Sequence, residues 1–414
     1  MNTAAFIARK IAFNRERSFS RFIIRLAIAA TVISVGAMIL TLAFTNGFQF
    51  AISQKVFNFW GHIRVQHYAA SRSSNSEEAP MSKNDTILHI LQNDPGVRTV
   101  QAFASKFAVV RSAEGVDEVQ VKGVEKDYDF GNLQGFLRSG RWPRFPDSGY
   151  SNEIVLSQYT ANQLKLKVGD KLLIYFIQVR QDSVSPSVRI RPMIVSGLYK
   201  TGIEDYDKLI AICDLRLVQR LNNWSPDEIG GYELFTRDYR MADDVSARLH
   251  NQLPKDWDSR TTEEIFLNIF DWLNLQDNTI IIVLVIMIVV ATLNLVTCLI
   301  ILVLERTRMV GILKAVGSPN MSIQWIFLYQ GAFITLVGLA LGNIFGLGIC
   351  WLQQRYGFIT LPEDAYFISK AVVKLEWWHV PLVNLLTFVI CILVLLIPTV
   401  IIRKVQPARA VQFR

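Results

Sequence analysis

Residues 279–304 read TIIIVLVIMIVVATLNLVTCLIILVL, a run of 26 residues without a charged side chain. A bilayer core about 30 Å thick is crossed by a helix of roughly 20 apolar residues, so this run is long enough to span a membrane. Three further runs meet the same requirement, at residues 22–44, 323–351 and 380–402. The sequence therefore predicts four transmembrane helices.

The spacing of these runs predicts the fold class. One run lies near the N-terminus, three lie in the C-terminal third, and the mainly polar insert between the first and second could hold one or two ordinary domains. Segments rich in β-branched and aromatic residues predict strands at 62–68, 97–111, 116–124, 171–179 and 189–199. Helices are expected at 153–166, 214–221 and 242–253. We predict an α-helical membrane protein with one plus three transmembrane helices and a large mixed α+β domain.

Lys and Arg beside the apolar runs predict the orientation. Residues 1–25, 305–321 and 403–414 together hold thirteen basic and two acidic side chains, although the whole chain carries a net charge of only +8. Cytoplasmic flanks of membrane helices show this excess of Lys and Arg. Both termini and the 305–321 loop are therefore expected in the cytoplasm, with the insert outside. The excess of basic residues is explained by membrane topology, so it gives no reason to expect nucleic-acid binding.

Two amphipathic stretches flank the insert. The first covers residues 49–59, next to Phe48; the second covers residues 263–276 and carries an apolar stripe of Ile265, Phe266, Ile269, Phe270 and Leu273. One interpretation is that both continue transmembrane helices outside the membrane and together form a stalk. Ordinary core or interfacial packing explains each stripe equally well.

The motifs that the sequence lacks narrow the function. It has no G-x-x-x-x-G-K-[ST] phosphate loop, no H-E-x-x-H and no C-x-x-C pair, and its five histidines are scattered. We therefore predict no catalytic residue, no metal site and no cofactor in this chain. The apolar runs also lack the mid-membrane acidic residue or Lys of an ion-driven transporter. Energy for any transport is expected from a partner.

The predicted cytoplasmic loop reads ERTRMVGILKAVGSP at residues 305–319. Apolar residues recur in it at helical spacing: Met309, Ile312, Leu313 and Val316. With Gly317 as a stop, this pattern predicts a short amphipathic helix at the membrane surface. It is either a juxtamembrane turn that obeys the positive-inside rule or a coupling helix seated in a partner ATPase.

Glycines in the third apolar run indicate close helix packing. Gly338, Gly342 and Gly346 form two overlapping G-x-x-x-G steps. Such steps let the backbone of another helix approach closely, although glycine is common in membrane helices in any case.

Residues 294–318 resemble the segment shared by the FtsX/MacB-like ABC transporter permeases, with Val310 and Gly311 where that family more often has an acidic residue and Ala. Other segments are similar to the lipoprotein-releasing LolC/LolE branch of that family: Asn46-Gly47-Phe48-Gln49, SGLYKTGIEDYD at 196–207, LPEDAYF at 361–367 and QPARAV at 406–411. These segments follow one another in the same order across almost the whole chain.

The resemblance implies a multi-pass protein of the inner membrane of a Gram-negative bacterium, with a periplasmic domain of MacB-core type. Its expected division is a cytoplasmic N-terminus (1–21), TM1 (22–48), a periplasmic domain with helical stalks (49–277), TM2 (279–304), a cytoplasmic coupling loop (305–321), TM3 (323–351), a periplasmic loop (353–379), TM4 (380–402) and a cytoplasmic tail (403–414). An FtsX-like permease domain is expected over about 279–407.

The function that the resemblance implies is non-catalytic. A permease of this branch would extract lipoproteins from the inner membrane and pass them to a periplasmic carrier, driven by a dimer of a cytoplasmic ATPase that binds ATP and magnesium. A second permease copy or a paralogue would complete the complex, in contact with membrane lipids, and the sequence leaves open which of the two it is.

Three sets of residues follow as candidate sites. The ATPase contact is expected at Glu305, Met309, Ile312 and Leu313. The cargo or lipid cavity is expected at Phe44, Phe48, Ile52, Phe266, Ile269 and Phe270. Carrier docking is expected at the 178–193 hairpin, through Val184, Pro186, Arg189 and Arg191.

Two other functions fit the same topology. A MacB-like efflux or mechanotransmission permease would export a toxin or a peptide instead of lipoproteins. An FtsX-type scaffold would regulate a periplasmic hydrolase, although its insert is usually much shorter than this one.

Overall fold

The computed structural model describes residues 19–68, 79–178 and 187–399. Its helices are α1 (Phe19–Trp60), α2 (Asp85–Asn93), α3 (Gln158–Gln163), α4 (Glu204–Leu209), α5 (Leu215–Asn222), α6 (Ala242–His250), α7 (Thr262–Ile265), α8 (Leu267–Glu305), α9 (Thr307–Ala315), α10 (Asn320–Tyr356), α11 (Glu363–Tyr366) and α12 (His379–Thr399). Its strands are β1 (Ile63–His67), β2 (Met81–Ser82), β3 (Val97–Arg111), β4 (Val116–Val124), β5 (Leu137–Gly140), β6 (Glu153–Ser157), β7 (Lys171–Gln178), β8 (Ser187–Tyr199), β9 (Ile210–Asp214), β10 (Glu228–Ile229), β11 (Gly231–Thr236) and β12 (Trp257–Thr261).

The chain divides into two compact units. The helical unit comprises the described residues of Met1–Phe50, Leu273–Thr360 and Lys370–Arg414, and the sheet unit comprises those of Ala51–Trp272 and Leu361–Ser369. Both α1 and α8 begin in one unit and end in the other.

Four helices among the described residues are long and apolar enough to cross a membrane. They are Phe22–Trp60, Leu267–Glu305, Asn320–Tyr356 and His379–Ile397. The first two are 39 residues each, well beyond the roughly 20 that a bilayer core requires. The predicted fold class, one plus three apolar helices around a mixed α+β domain, is confirmed.

Several hydroxyl groups inside the apolar helices bond to their own helix. Thr31 donates to the Ala27 carbonyl at 2.9 Å, and Thr335 donates to the Gly331 carbonyl at 2.9 Å. Hydrocarbon offers no water to satisfy a polar group, so a hydroxyl there needs an internal acceptor. The helical core can therefore bury these residues without unpaired hydroxyls.

The sheet unit is built on one ten-stranded mixed sheet. Its order is β12-β1-β11-β3-β4-β9-β6-β8-β5, with β7 paired to both β3 and β8. The β4–β9 and β6–β8 pairs are parallel and the others are antiparallel. Apolar residues of α2, α5 and α6, such as Leu91, Leu217 and Val245, pack into one core with one face of the sheet.

The helix predicted at 153–166 is wrong in its first part. Residues Glu153–Ser157 form β6, and only Gln158–Gln163 is helical. The run Ile154, Val155 and Leu156 is fully buried, because β6 lies between β8 and β9, and a strand buried on both faces shows no alternation. Ser157 begins the helix, since its hydroxyl accepts a bond from the Thr160 amide.

The second amphipathic stretch is two helices and not one. Phe266 lies between α7 and α8 with non-helical dihedral angles (φ −106°, ψ 45°). Before the break, α7 begins with a capping box in which Thr261 and Glu264 bond each other's backbone amides. The end of α1 is set by Gly61, whose φ of +72° is the left-handed conformation that favours glycine.

Candidate functional sites

The predicted cytoplasmic helix is α9, which follows the end of α8 after one intervening residue. Val310 is fully buried, and Met309 and Leu313 are partly buried against the apolar cluster that contains it. The opposite side is open: Ile312 is 50% and Val316 81% exposed. Glu305 is also exposed, at the last residue of α8.

This geometry gives the four predicted contact residues different roles. Met309 and Leu313 hold α9 onto the helical unit, whereas the apolar side chain of Ile312 is half-exposed. Gly317 ends the segment with φ +91°, and the Ser318 amide bonds to the Leu313 carbonyl at 2.9 Å. Val316 belongs to the exposed surface, and its exposure could not be read from the helical spacing alone.

The three glycines of α10 lie against α1. A Cβ added at Gly338 would lie 2.6 Å from Thr31 Cγ2, and one at Gly342 would lie 2.8 Å from Val35 Cβ. A Cβ at Gly346 would lie 3.1 Å from Ile39 Cβ. Each glycine therefore faces a different turn of α1, which is the arrangement that G-x-x-x-G steps permit.

The Asn46-Gly47-Phe48-Gln49 segment binds three other parts of the helical unit. The Asn46 amide lies 3.4 Å from His379 Nδ1 at the start of α12. Gly47 lies so close to the 371–375 segment that an added Cβ would be 1.9 Å from the Val372 carbonyl oxygen. Gln49 donates to Asp277 Oδ1 at 2.8 Å and to the Leu273 carbonyl at 3.0 Å, both on α8. This segment is therefore a junction, a role that sequence reasoning missed.

The predicted cavity residues divide between the units. Phe44 and Phe48 lie half-buried in the helical unit. The other four lie in the sheet unit: Ile52, Phe266, Ile269 and Phe270. Ile52 and Phe270 are buried, and the Phe270 ring stacks on Phe57 with centroids 5.5 Å apart.

A cavity of about 490 Å³ in the sheet unit brings two of these residues together. Phe266 and Ile269 line it with Trp60, Tyr206 and Leu209, beside the break between α7 and α8. Aromatic contacts shape its wall: the Trp60 and Phe266 rings lie 5.6 Å apart, and the Tyr206 and Phe266 rings 5.7 Å apart. The exposed lining of the cavity is nearly as polar as it is apolar. A mixed lining of this kind suits a ligand that has both a polar group and a hydrocarbon part.

The predicted docking hairpin is β7 and β8 with their connection. Val184 and Pro186 lie outside the described residues. Arg189 donates to the Leu221 carbonyl at 3.0 Å and to Asn223 Oδ1 at 2.8 Å, so its guanidinium caps the C-terminal end of α5. Arg191 donates to the Ile190 carbonyl at 2.9 Å.

The outward side of this hairpin is apolar. Val188, Ile190 and Ile194 alternate with the two arginines along β8, and all three are exposed, as is Leu173 on β7. Because β8 pairs with β7 in register, these side chains share one face. The arginines are held against the protein's own backbone, and this apolar face is exposed.

A buried ion pair joins the end of α1 to the sheet. Lys122 Nζ lies 2.7 Å from Glu233 Oε1 and donates to the Phe59 carbonyl at 2.8 Å. The side chains of Lys122 and Glu233 are 1% and 0% exposed. Trp60 and Phe103 place their rings 4.9 and 5.9 Å from the ammonium. Sequence reasoning missed this site. Lys122 lies inside the predicted strand 116–124, where a charged residue is a signal, but Glu233 lies on β11, which was not predicted.

No group of three or more His, Cys, Asp or Glu side chains within the described ranges could hold a metal ion. His62, one of the scattered histidines, is partly buried, and its Nδ1 accepts the Thr236 amide at 2.9 Å. Burial and the nearby Arg98 lower the pKa of His62 from 6.5 to about 4. It is a neutral packing residue at ordinary pH.

Both the N-terminal and the C-terminal parts of the chain match known protein families. The MacB-like periplasmic core domain family matches residues 26–250, which is more than half of the chain, and the FtsX-like permease C-terminal family matches residues 281–407. The periplasmic region of MacB from Actinobacillus actinomycetemcomitans aligns to 50% of this chain and 91% of its own, with 13% identity and a TM-score of 0.33.

Curated relatives match over nearly the full length. The lipoprotein-releasing system transmembrane protein LolE of Haemophilus influenzae is 25% identical over 421 residues, which covers 99% of each chain. The LolC proteins of Neisseria meningitidis serogroup B and of Xylella fastidiosa strain Temecula1 are 24% and 23% identical, and each alignment covers 98% of this chain and 97% of the relative. The chain therefore belongs to the ABC transporter permeases that join a MacB-like periplasmic core domain to an FtsX-like C-terminal domain, and its relatives include LolC and LolE proteins.

Proposed function

We propose that this protein is the permease subunit of an ATP-driven complex that extracts lipoproteins from the bacterial inner membrane and hands them to a periplasmic carrier. The observation that carries the proposal is its near full-length similarity to lipoprotein-releasing LolC and LolE proteins. Energy comes from a dimer of a separate cytoplasmic ATPase that binds ATP and magnesium. The subunit has both termini in the cytoplasm, and pairs with a second copy or a paralogue.

Depletion of the protein tests this function directly. We expect lipoproteins to accumulate in the inner membrane, measured by membrane fractionation and acyl labelling, and a small ATPase to co-purify with the tagged chain. The same purification shows whether a second copy or a paralogue is present. Filamentous cells with normally sorted lipoproteins would point to a cell-division scaffold, and export of a peptide or toxin without lipoprotein retention would point to an efflux permease.

The ATPase contact is assigned to the open side of α9. Ile312 is half-exposed although it is apolar, and Val310 behind it is fixed in the core. Ile312→Asp leaves that core intact and places a charge in the proposed contact. We expect co-purification of the ATPase to fall at least about tenfold, the effect of roughly 1.4 kcal/mol.

Val116→Asp is the matched control for Ile312→Asp. Val116 is also an exposed apolar residue, but it lies on β4 in the sheet unit. Its substitution is expected to leave the ATPase bound. Full ATPase association and stimulation in the Ile312→Asp complex would remove α9 from the contact.

The cargo site is assigned to the cavity beside Phe266. Its wall combines aromatic rings with the amide groups of Gln120 and Asn268, which suits the acylated N-terminus of a lipoprotein. A photo-reactive amino acid at Leu209 should crosslink to lipoprotein in the complex. The same probe at Val116 should not, and equal labelling at both positions would contradict the assignment.

Carrier docking is assigned to the apolar face of the β7–β8 hairpin. Exposed apolar side chains in register on two paired strands form a contact surface for another protein. Val188→Ser with Ile190→Ser should weaken carrier crosslinking, while Arg189 keeps the hairpin on α5. If deletion of the hairpin left carrier crosslinking unchanged, docking would have to occur elsewhere.

A further inference from the structure

Residues Leu361–Ser369 connect α10 to α12 in sequence, yet they belong to the sheet unit. The Leu361 amide bonds to the Ser369 carbonyl at 3.1 Å, so the segment is closed on itself. Within it, Phe367 caps the C-terminal end of α11, and its amide bonds to the Glu363 carbonyl at 2.8 Å. We call this segment the clasp.

Glu363 is the charged centre of the clasp. Its carboxylate accepts a bond from Lys200 Nζ at 2.9 Å and lies 4.0 Å from the Arg138 guanidinium. Burial opposes ionisation of this carboxyl, but the bond from Lys200 and the charges of Lys55 and Arg138 outweigh it and lower the pKa of Glu363. Glu363 is therefore ionised and paired at neutral pH.

The loop at residues 200–203 of the sheet unit has a fixed conformation and contacts the clasp. Asp207 fixes this loop, because its carboxylate accepts the Thr201 and Gly202 amides at 2.8 and 2.9 Å. Gly202 has φ +79°, and a Cβ added there would lie 2.7 Å from Glu363 Oε1. The positive φ favours glycine, and its lack of a side chain lets the carboxylate approach the backbone closely.

The clasp also contacts both long helices. Lys55 on α1 donates to the Thr201 carbonyl at 2.5 Å and to the Phe367 carbonyl at 2.6 Å. Trp272 on α8 packs edge-on against the Phe367 ring with centroids 6.3 Å apart. Phe367 has φ +60°, a left-handed conformation that is strained for a residue other than glycine. These contacts hold it there.

We propose that residues 361–369 form a releasable clasp that fastens the sheet-unit ends of α1 and α8 to the 200–203 loop, with the Glu363–Lys200 ion pair as the bond that opens during the transport cycle. The segments 196–207 and 361–367, both similar to the LolC/LolE branch in sequence, contact each other through this ion pair. The proposal gives both segments the same role.

The exposure of the ion pair distinguishes a releasable bond from a permanent one. The side chains of Lys200 and Glu363 are 32% and 19% exposed, whereas those of the Lys122–Glu233 pair are almost fully buried. A partly exposed ion pair is weak and screened by salt, so it opens at low cost. The strained Phe367 favours opening once the pair is broken.

Hydrogen exchange of the purified full-length complex tests the clasp without reference to transport. In Glu363→Gln, exchange of the Leu361 and Phe367 amides should rise about tenfold, while that of β3 and β4 stays unchanged and shows that the sheet unit is folded. Asp147→Asn is the matched control, because it removes the exposed Lys126–Asp147 pair elsewhere in the same unit. Equal exchange in wild type and Glu363→Gln would overturn the proposal.

A covalent lock tests release, and this arm rests on the proposed function. Lys200→Cys with Glu363→Cys should be bridged in the resting complex by a bis-methanethiosulfonate reagent whose spacer replaces the two long side chains, which meet only at their tips. Lipoprotein release should then stop, and a reductant should restore it, whereas each single cysteine variant keeps releasing. Failure of the two cysteines to crosslink, or full release by the crosslinked complex, would overturn the clasp. Absence of release by the wild-type complex would instead contradict the proposed function.

Discussion

At the scale of single residues, the Lys122–Glu233 pair shows how charge holds the end of α1. The Lys122 ammonium bonds both to the Glu233 carboxylate and to the Phe59 carbonyl. Phe59 is in the last turn of α1, where backbone carbonyls have no amide of their own helix to bond to. Removing one partner leaves the other charge buried and unpaired, which costs far more than the pair itself contributes.

Lys122→Met should therefore lower the free energy of unfolding by about 3–5 kcal/mol, because it strands Glu233. Replacing both residues, Lys122→Met with Glu233→Leu, should recover most of that loss. Denaturant unfolding of the detergent-solubilised chain, followed by tryptophan fluorescence, measures both variants. Lys126→Met, which breaks an exposed pair, serves as the control and should stay within about 0.5 kcal/mol of wild type. A double variant as unstable as Lys122→Met would contradict this account.

His62 predicts a pH dependence of stability. Its pKa is about 4 in the folded protein and near 6.5 when unfolded, so between these values the unfolded chain binds a proton that the folded chain refuses. The stabilisation is complete above pH 6.5 and is lost as the pH falls towards 4, with a slope of up to about 1.4 kcal/mol per pH unit. His62→Asn should lose less stability from pH 6.5 to 4.5 in denaturant titrations. Identical slopes in both proteins would show that His62 is protonated in the fold.

At the scale of elements, the sequence predicted correctly those strands whose bounds are set by the residues within and next to them. The strands at 97–111 and 116–124 have the predicted bounds, because their β-branched residues end at turn residues. β6 and β9 were missed as strands, since a strand buried on both faces has no alternation to recognise. The break at Phe266 was also missed, because it interrupts an apolar stripe whose spacing is unaltered.

Contacts between distant residues lay beyond sequence reasoning for a different reason. Glu363 and Lys200 are 163 positions apart, and nothing in either segment specifies which partner it meets. The same holds for α9, where helical spacing grouped Met309 with Ile312 although one packs inward and the other is half-exposed. The sequence pattern identifies a helix or strand, but tertiary packing determines which of its side chains stay exposed.

The packing of one element on another predicts the effect of a single methyl group at Gly47. In Gly47→Ala the new Cβ would collide with the Val372 carbonyl, so the 371–375 segment must move away from α1. The cation–π contact between Lys374 and Phe50, at 3.4 Å, should be lost with it. We expect the melting temperature of the solubilised protein to fall by several degrees, as for a cost of about 1–3 kcal/mol.

Gly348→Ala is the matched control for Gly47→Ala. Gly348 lies in α10, and an added Cβ there would meet no atom within 4 Å. The substitution should be neutral or stabilise the helix by about 0.5–1 kcal/mol. A Gly47→Ala protein that melts with the control would mean that the 371–375 segment yields without cost.

At the scale of the whole molecule, α1 and α8 are the elements that both units share. In the sheet unit the two helices meet through aromatic rings, with Phe57 stacked on Phe270 at 5.5 Å. Phe57 also contacts His62 and Tyr239, so its ring joins the two helices to the sheet. In the proposed function a partner ATPase supplies the energy, and continuous packed elements of this kind would convey its motion.

Phe57→Leu keeps an apolar side chain in place and removes the ring stack between α1 and α8. Release of lipoproteins by the ATPase-bound complex should slow by about two- to tenfold, the range that corresponds to the 0.5–1.5 kcal/mol of an aromatic pair. Co-purification of the ATPase and crosslinking of cargo at Leu209 should stay normal, because neither surface is altered. Phe130→Leu removes a comparable stack with Trp142, at 4.9 Å, away from both helices, and should release at the wild-type rate. Equal release by both variants would mean that motion reaches the sheet unit without this contact.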